Sequence, residues 1–197
     1  MLIIAVISLA LILGTAASAE IQVLKSDSGK EYGEMNLSVI SAMEIYDLPG
    51  MDIAEAVKFN APSSGFSIKQ IDVVGFDGYN GSRLTTTPWE TTIALEIRDK
   101  DLNLLYSFTD SQIPYFNYIY NSTKLVPARF DIPSIRVNGD FYVCFYDRGA
   151  VYVAYERNNS SGNSYMFQRA TNSMVPALPD AGNKTYPINW VIRVGGI

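Results

Sequence analysis

The run Val137–Glu156, VNGDFYVCFYDRGAVYVAYE, constrains the fold of this chain more than any other stretch. Phe141–Tyr146 and Val151–Tyr155 are strand-length runs of β-branched and aromatic residues, with Asp147-Arg148-Gly149-Ala150 as a turn between them. That spacing predicts a β-hairpin, entered through a second turn at Asn138-Gly139. Phe141, Val143 and Phe145 form its inward set. Tyr142, Cys144 and Tyr146 are nearly as apolar, so the hairpin is expected to be covered on both sides, by a loop or by the N-terminal segment. Whatever covers the tyrosine-bearing face is the place to look for a site.

The rest of the chain repeats the same pattern. Val57 and Phe59 alternate with polar or small neighbours, and Ala61–Gly65 turns the chain. Phe66 and Ile68 share one phase, whereas Ile71 and Val73 share the other, which predicts a β-bulge near Lys69-Gln70. Glu90–Phe108 reads as a hairpin: Ile93, Leu95 and Ile97 face one way, and Leu104, Tyr106 and Phe108 answer them on the return strand. Leu125–Asp131 is a further strand that Pro127 confines to an edge or a bulge. Ile132-Pro133-Ser134 is expected to turn, Thr171–Pro187 to be loop, and Trp190, Ile192 and Val194 to close the chain in a strand. With no βαβ alternation and no repeat, about ten short strands imply an all-β fold, a single antiparallel sandwich of jelly-roll-like layout.

Residues 1–19, MLIIAVISLALILGTAASA, form an uncharged apolar run ending in small residues. This is the pattern of a signal peptide cut before Glu20, and the alternative is an uncleaved anchor, since a single span needs at least about 17 residues. The remainder, 20–197, is expected to be one domain, with 20–52 less regular. The protein is then secreted or held at the cell surface, and touches a membrane only through the N-terminal segment if that is retained.

Several chemistries are excluded from the start. The chain has no histidine, which removes Ser-His-Asp and Cys-His nucleophile systems and the usual catalytic zinc sites. A single cysteine, Cys144, allows no intramolecular disulfide and reads as a small buried apolar residue. A formal charge of −5 with no basic run argues against nucleic acid.

Local motifs supply candidates, each with a plain structural alternative. The aromatic run PYFNYIY places Tyr115, Phe116, Tyr118 and Tyr120 where exposed rings would stack on sugars, or would cap the core if packed. Asp77–Gly81 and Asp99–Asn103 have oxygen ligands spaced as in calcium loops, but both fit ordinary turns better, so no cofactor is expected. Asp27-Ser28-Gly29 matches an aspartic-protease loop poorly and has no second copy. Glu44, Asp72, Glu96 and Glu156 lie in or beside strands and would matter if two converged. Six sequons, at Asn36, Asn80, Asn121, Asn158, Asn159 and Asn183, are glycosylation candidates in a host that modifies exported proteins.

The order VKFNAPSSGFSIKQIDVVGF, TIALEIRDKDLNLLYSF, RFDIPSIRVNGDFYVCFY and NWVIRV resembles secreted jelly-roll domains of archaeal and bacterial surface proteins. It is similar in layout to carbohydrate-binding-module-like and galactose-binding-like folds. That resemblance spans roughly residues 53–194, is a pattern of strands rather than a motif, and carries over no binding residue. It implies a non-catalytic domain that binds a glycan or a cell-surface partner. The alternatives are a subunit of a surface layer or filament and, third, a carboxylate-dependent hydrolase.

Overall fold

The computed structural model describes residues 20–41, 53–76, 92–112, 115–116, 126–148, 151–157, 160–178 and 186–197. Among them, thirteen strands form two antiparallel sheets packed face to face. The strands are β1 (Gln22–Lys25), β2 (Leu37–Ile40), β3 (Ile53–Asn60), β4 (Phe66–Phe76), β5 (Thr92–Asp99), β6 (Leu104–Ser111), β7 (Val126–Val137), β8 (Asp140–Tyr146), β9 (Tyr152–Glu156), β10 (Ser164–Gln168), β11 (Ser173–Pro176), β12 (Asn189–Trp190) and β13 (Ile192–Gly196). One sheet runs β1-β13-β4-β9-β12, with β7 beside β4 and β2 beside β9. The other runs β11-β10-β3-β8-β5-β6.

Alternation builds the core. Ile53, Val57 and Phe59 of β3, Ile93, Leu95 and Ile97 of β5, and Phe141, Val143 and Phe145 of β8 meet Ile71, Val73, Val153, Trp190, Ile192 and Val194 from the facing sheet. All of these are buried, and each large side chain removed from water contributes about 1.5–3 kcal/mol.

The expected hairpin over 137–156 is not one. β8 pairs with β3 and β5, whereas β9 pairs with β4, β2 and β12, so the two strands lie in different sheets. The Asn138-Gly139 turn, with Gly139 at φ +63°, crosses between sheets. A tight turn between two apolar strands serves both arrangements, because inward faces on opposite sheets bury the same side chains.

Other expectations stand. The β5–β6 hairpin forms with Leu95 opposite Phe108 and Ile97 opposite Tyr106. A register shift then sets Leu104 against Arg98, which turns Leu104 outward and leaves it 50% exposed. The bulge in β4 is present: Ile68 pairs with Gly196 and Gln70 with Gly195, so Lys69 is the extra residue and the inward phase switches. On the other flank, Ile68 pairs with Ile135 and Gln70 with Asp131. Ile132-Pro133-Ser134 is therefore an irregular stretch inside the long edge strand β7 rather than a turn, and Ser173–Pro176 is a strand, β11, inside the expected loop.

The two outer faces are covered differently. Tyr32, Met35, Leu37 and Val39 of the N-terminal segment pack on Val74, Ala154 and Val191 outside the seven-stranded sheet. On the other sheet, side chains of neighbouring strands cover the tyrosine-bearing face of β8.

Candidate functional site

On that face Ala54, Ala56, Ala94 and Cys144 make a buried floor of small residues beside Tyr146 and Phe167. Glu96 projects from β5 into it and is held by three side chains. Its Oε2 accepts from Arg98 Nε at 2.9 Å and Tyr146 Oη at 2.9 Å, with Arg98 Nη2 ion-paired to it at 2.8 Å, and its Oε1 accepts from Arg169 Nη2 at 2.7 Å. The Arg98 guanidinium lies 4.4 Å over Phe167 and that of Arg169 4.3 Å over Tyr146. Burial, then the Glu96 charge, pushes the Tyr146 hydroxyl far up, and burial does the same to the Cys144 thiol. Cys144 is thus an inert packing residue, and this end of the face is a closed ionic plug.

The other end of the same face is open. Tyr142 on β8 and Tyr165 on β10 are both half-buried and meet edge to face at 6.0 Å. Beside them Lys58, paired with Tyr142 in register, reaches Asp140 Oδ2 at 2.6 Å, and Asn60 Nδ2 donates to Asp140 Oδ1 at 2.8 Å. The Lys58 and Asn60 contacts hold the Asp140 carboxyl below its ordinary range, and Asp140 raises Lys58 in return.

These three residues line a recess of about 540 Å³. Its other walls are Phe59, Asn163 and Val23–Ser26 of the N-terminal segment. Ser26 Oγ donates to the Lys58 carbonyl at 2.9 Å, and the Lys58 amide donates to the Asn163 carbonyl at 2.8 Å, so the rim is fixed by backbone as well as side chains. Ammonium, amide and carboxylate together offer donors and acceptors at the recess, and Tyr142, the register partner of Lys58, lies on the adjoining strand. That combination suits a polyhydroxylated ligand.

The residues expected from sequence lie elsewhere. Tyr115 stacks on Phe130 at 4.4 Å, edges against Phe108 at 6.0 Å and donates to Asp110 Oδ2 at 3.3 Å. Phe116 is 2% exposed among Phe130 and Phe145, so its ring packs the core. Tyr118 and Tyr120 lie outside the described residues, as do Glu44, Asp77–Gly81 and the sequons other than Asn36, which is exposed just before β2.

The carboxylates that the sequence singles out and the structure describes are each engaged by structural partners. Asp72 is clamped by Arg129 Nε and Nη2 at 2.9 and 3.0 Å, and Glu156 accepts from Ser28 N and Oγ at 2.9 and 2.8 Å. Asp72 and Glu156 face outward from the seven-stranded sheet, whereas Glu96 faces outward from the other. Asp99 spends its oxygens inside its own turn, on Asp101 N, Asn103 N and Asn103 Nδ2. Asp27 of the Asp-Ser-Gly stretch is ion-paired to Arg193.

Sequence reasoning missed the recess because Lys58 and Asn60 read only as the polar neighbours of Val57 and Phe59, and Asp140 belonged to no motif. Only the pairing of β3 with β8 joins them. No family model matches the chain, and no curated protein matches it.

Proposed function

We propose that this chain is an exported, non-catalytic sandwich that binds a glycan at the recess beside Tyr142 and Tyr165. The observation that carries this reading is the Lys58–Asp140–Asn60 trio on the rim of an open recess, with the half-buried Tyr142 paired in register to Lys58 and in edge-to-face contact with Tyr165. Asp140 accepts from sugar hydroxyls, Lys58 and Asn60 donate to them, and a tyrosine face covers the C–H side of a pyranose. Such a site needs no proton transfer, and Asp27, Asp72 and Glu96 are ion-paired to arginine while Glu156 accepts from Ser28. Export rests on the apolar run 1–19, and the jelly-roll likeness belongs to the same reading.

The test is a panel of soluble polysaccharides and arrayed glycans, probed with the wild type and with Asp140→Ala, Tyr142→Ala and Tyr115→Ala. Loss of about 10-fold or more in affinity for Asp140→Ala and Tyr142→Ala, with Tyr115→Ala unchanged, supports this location, since each lost contact to a charged group is worth roughly 1.5–3 kcal/mol. Binding that survives both recess variants and fails in Tyr115→Ala moves the site to the aromatic run. No binding across the panel removes the glycan reading.

A further inference from the structure

We propose that residues 20–25 exchange between copies of this chain, β1 of one molecule filling the slot beside β13 of another. The segment divides sharply at Lys25–Ser26. Before that point β1 has one strand neighbour, four register pairs with β13, and one partly buried side chain, Leu24. Beyond it the chain is pinned: Ser26 Oγ to the Lys58 carbonyl, Ser28 to Glu156, and Asp27 to Arg193, whose guanidinium also donates to the Lys30 carbonyl at 2.6 Å. The Tyr32 ring closes over the same guanidinium at 4.3 Å. With residues 1–19 removed, as the export reading has it, β1 is a short arm on a fixed pivot.

The slot, in contrast, is built into the core. Val194 is 0% exposed, and Gly195 and Gly196 are buried where they pass the β4 bulge. Stripped of β1, this edge would present unpaired backbone groups that only an extended strand satisfies, and the strand that fits is the one already seated there. A second copy supplies an identical strand, so exchange keeps every β1 contact and costs chiefly the entropy of association.

The geometry also fixes where the copies meet. With Ser26 pinned at home and Lys25 seated in the partner's slot, only one Cα–Cα link of about 3.8 Å spans the two molecules, so the two pivots must lie side by side at their β1 edges. That edge carries Ile21, Val23 and Ile197, half of the six exposed large apolar side chains among the described residues. A reciprocal pair covers them. Because Val23–Ser26 line the recess, each recess of the pair is then built from two chains. Exchange requires no ligand, so it stands or falls apart from glycan binding.

The test mixes two forms of the protein. One is of natural isotopic mass with a benzophenone photo-crosslinking residue in place of the exposed Val23; the other is ¹⁵N-labelled and without the probe. Exchange predicts light–heavy products joining position 23 to Ile192–Gly196. Their share rises about 10-fold between ~0.1 and ~1 mM protein, since a short tether acts as a local concentration in the millimolar range. A Leu24→Cys/Val194→Cys disulfide, placed on a register pair, locks the arm at home and abolishes those products in the probe-bearing chain. Only light–light products at every concentration, or light–heavy products that land away from β13, overturn the exchange. Should the disulfide variant not fold, the isotope mixing decides alone.

Discussion

Arg193 donates through Nε and Nη2 to the two carboxylate oxygens of Asp27, 166 residues away, at 2.8 and 3.0 Å. Both side chains are buried, at 4% and 0% exposure, and the pair pins the N-terminal segment to the outer face of the seven-stranded sheet. Removing one partner of a buried pair leaves the other charge uncompensated, which costs about 3–5 kcal/mol. Asp27→Ala is therefore expected to lower the urea midpoint sharply and to raise hydrogen exchange across β2, which that segment leads into. A loss below about 1 kcal/mol would show that the segment is held by its apolar contacts and by the Ser26 and Ser28 hydrogen bonds, without help from the ion pair.

The same contact sets an alkaline limit. Burial, reinforced by the Asp72 and Asp27 charges and opposed by Arg193, raises the Tyr32 hydroxyl to about 12 from 10.0. The folded form thus keeps a proton that the unfolded chain releases. Its contribution is complete below pH 10 and is lost as pH rises through 12. Unfolding free energy measured between these values should fall with pH, and Tyr32→Phe, which keeps the ring over Arg193, should flatten the slope. An unchanged slope would assign the alkaline loss to Tyr146 and other buried hydroxyls.

Backbone approach at the bulge gives a steric prediction. A Cβ on Gly196 would meet Phe66 Cζ and the Ser67 carbonyl oxygen, both at 2.5 Å, and Phe66 is itself buried. Neither neighbour has room to yield, so Gly196→Ala is expected to cost about 1–3 kcal/mol by overpacking. Gly33 is the control: a Cβ there meets nothing within 4 Å and its φ is not positive, so Gly33→Ala should be neutral or stabilising by up to about 1 kcal/mol. Equal midpoints for the two variants would contradict the close approach.

Which parts of this fold were legible in sequence follows from the range of the forces involved. The phase switch between Ile68 and Ile71 is visible because a bulge flips every later side chain, and the Ile93–Leu95–Ile97 face because period 2 is local. The placement of β8 and β9 in different sheets is not, since Asp147–Ala150 would serve a hairpin equally well. Asp27 looks like a turn residue and Arg193 like the wet side of a strand until the fold brings them together. The recess is hidden for the same reason: Asn60 and Asp140 are 80 residues apart and meet only through the β3–β8 register.

The plug on the tyrosine-bearing face yields the last prediction. Glu96 accepts three hydrogen bonds, from Arg98, Arg169 and Tyr146, while 4% exposed, and it is the counter-charge to Arg98, itself 9% exposed. Glu96→Gln keeps the shape but turns one acceptor into a donor that faces arginine, and it leaves Arg98 buried beside Phe167 without a negative partner. The expected cost is about 3–5 kcal/mol, read from urea denaturation. Replacing both charges, in Glu96→Leu/Arg98→Met, removes the desolvation of the pair together with its attraction. The double variant should therefore lose clearly less than the sum of Glu96→Leu and Arg98→Met, with a coupling of about 1–3 kcal/mol in the mutant cycle. Additive losses would mean that Arg98 is held mainly by its other contacts, the Leu102 carbonyl at 2.6 Å and the Phe167 ring, with Glu96 serving Arg169 and Tyr146 instead.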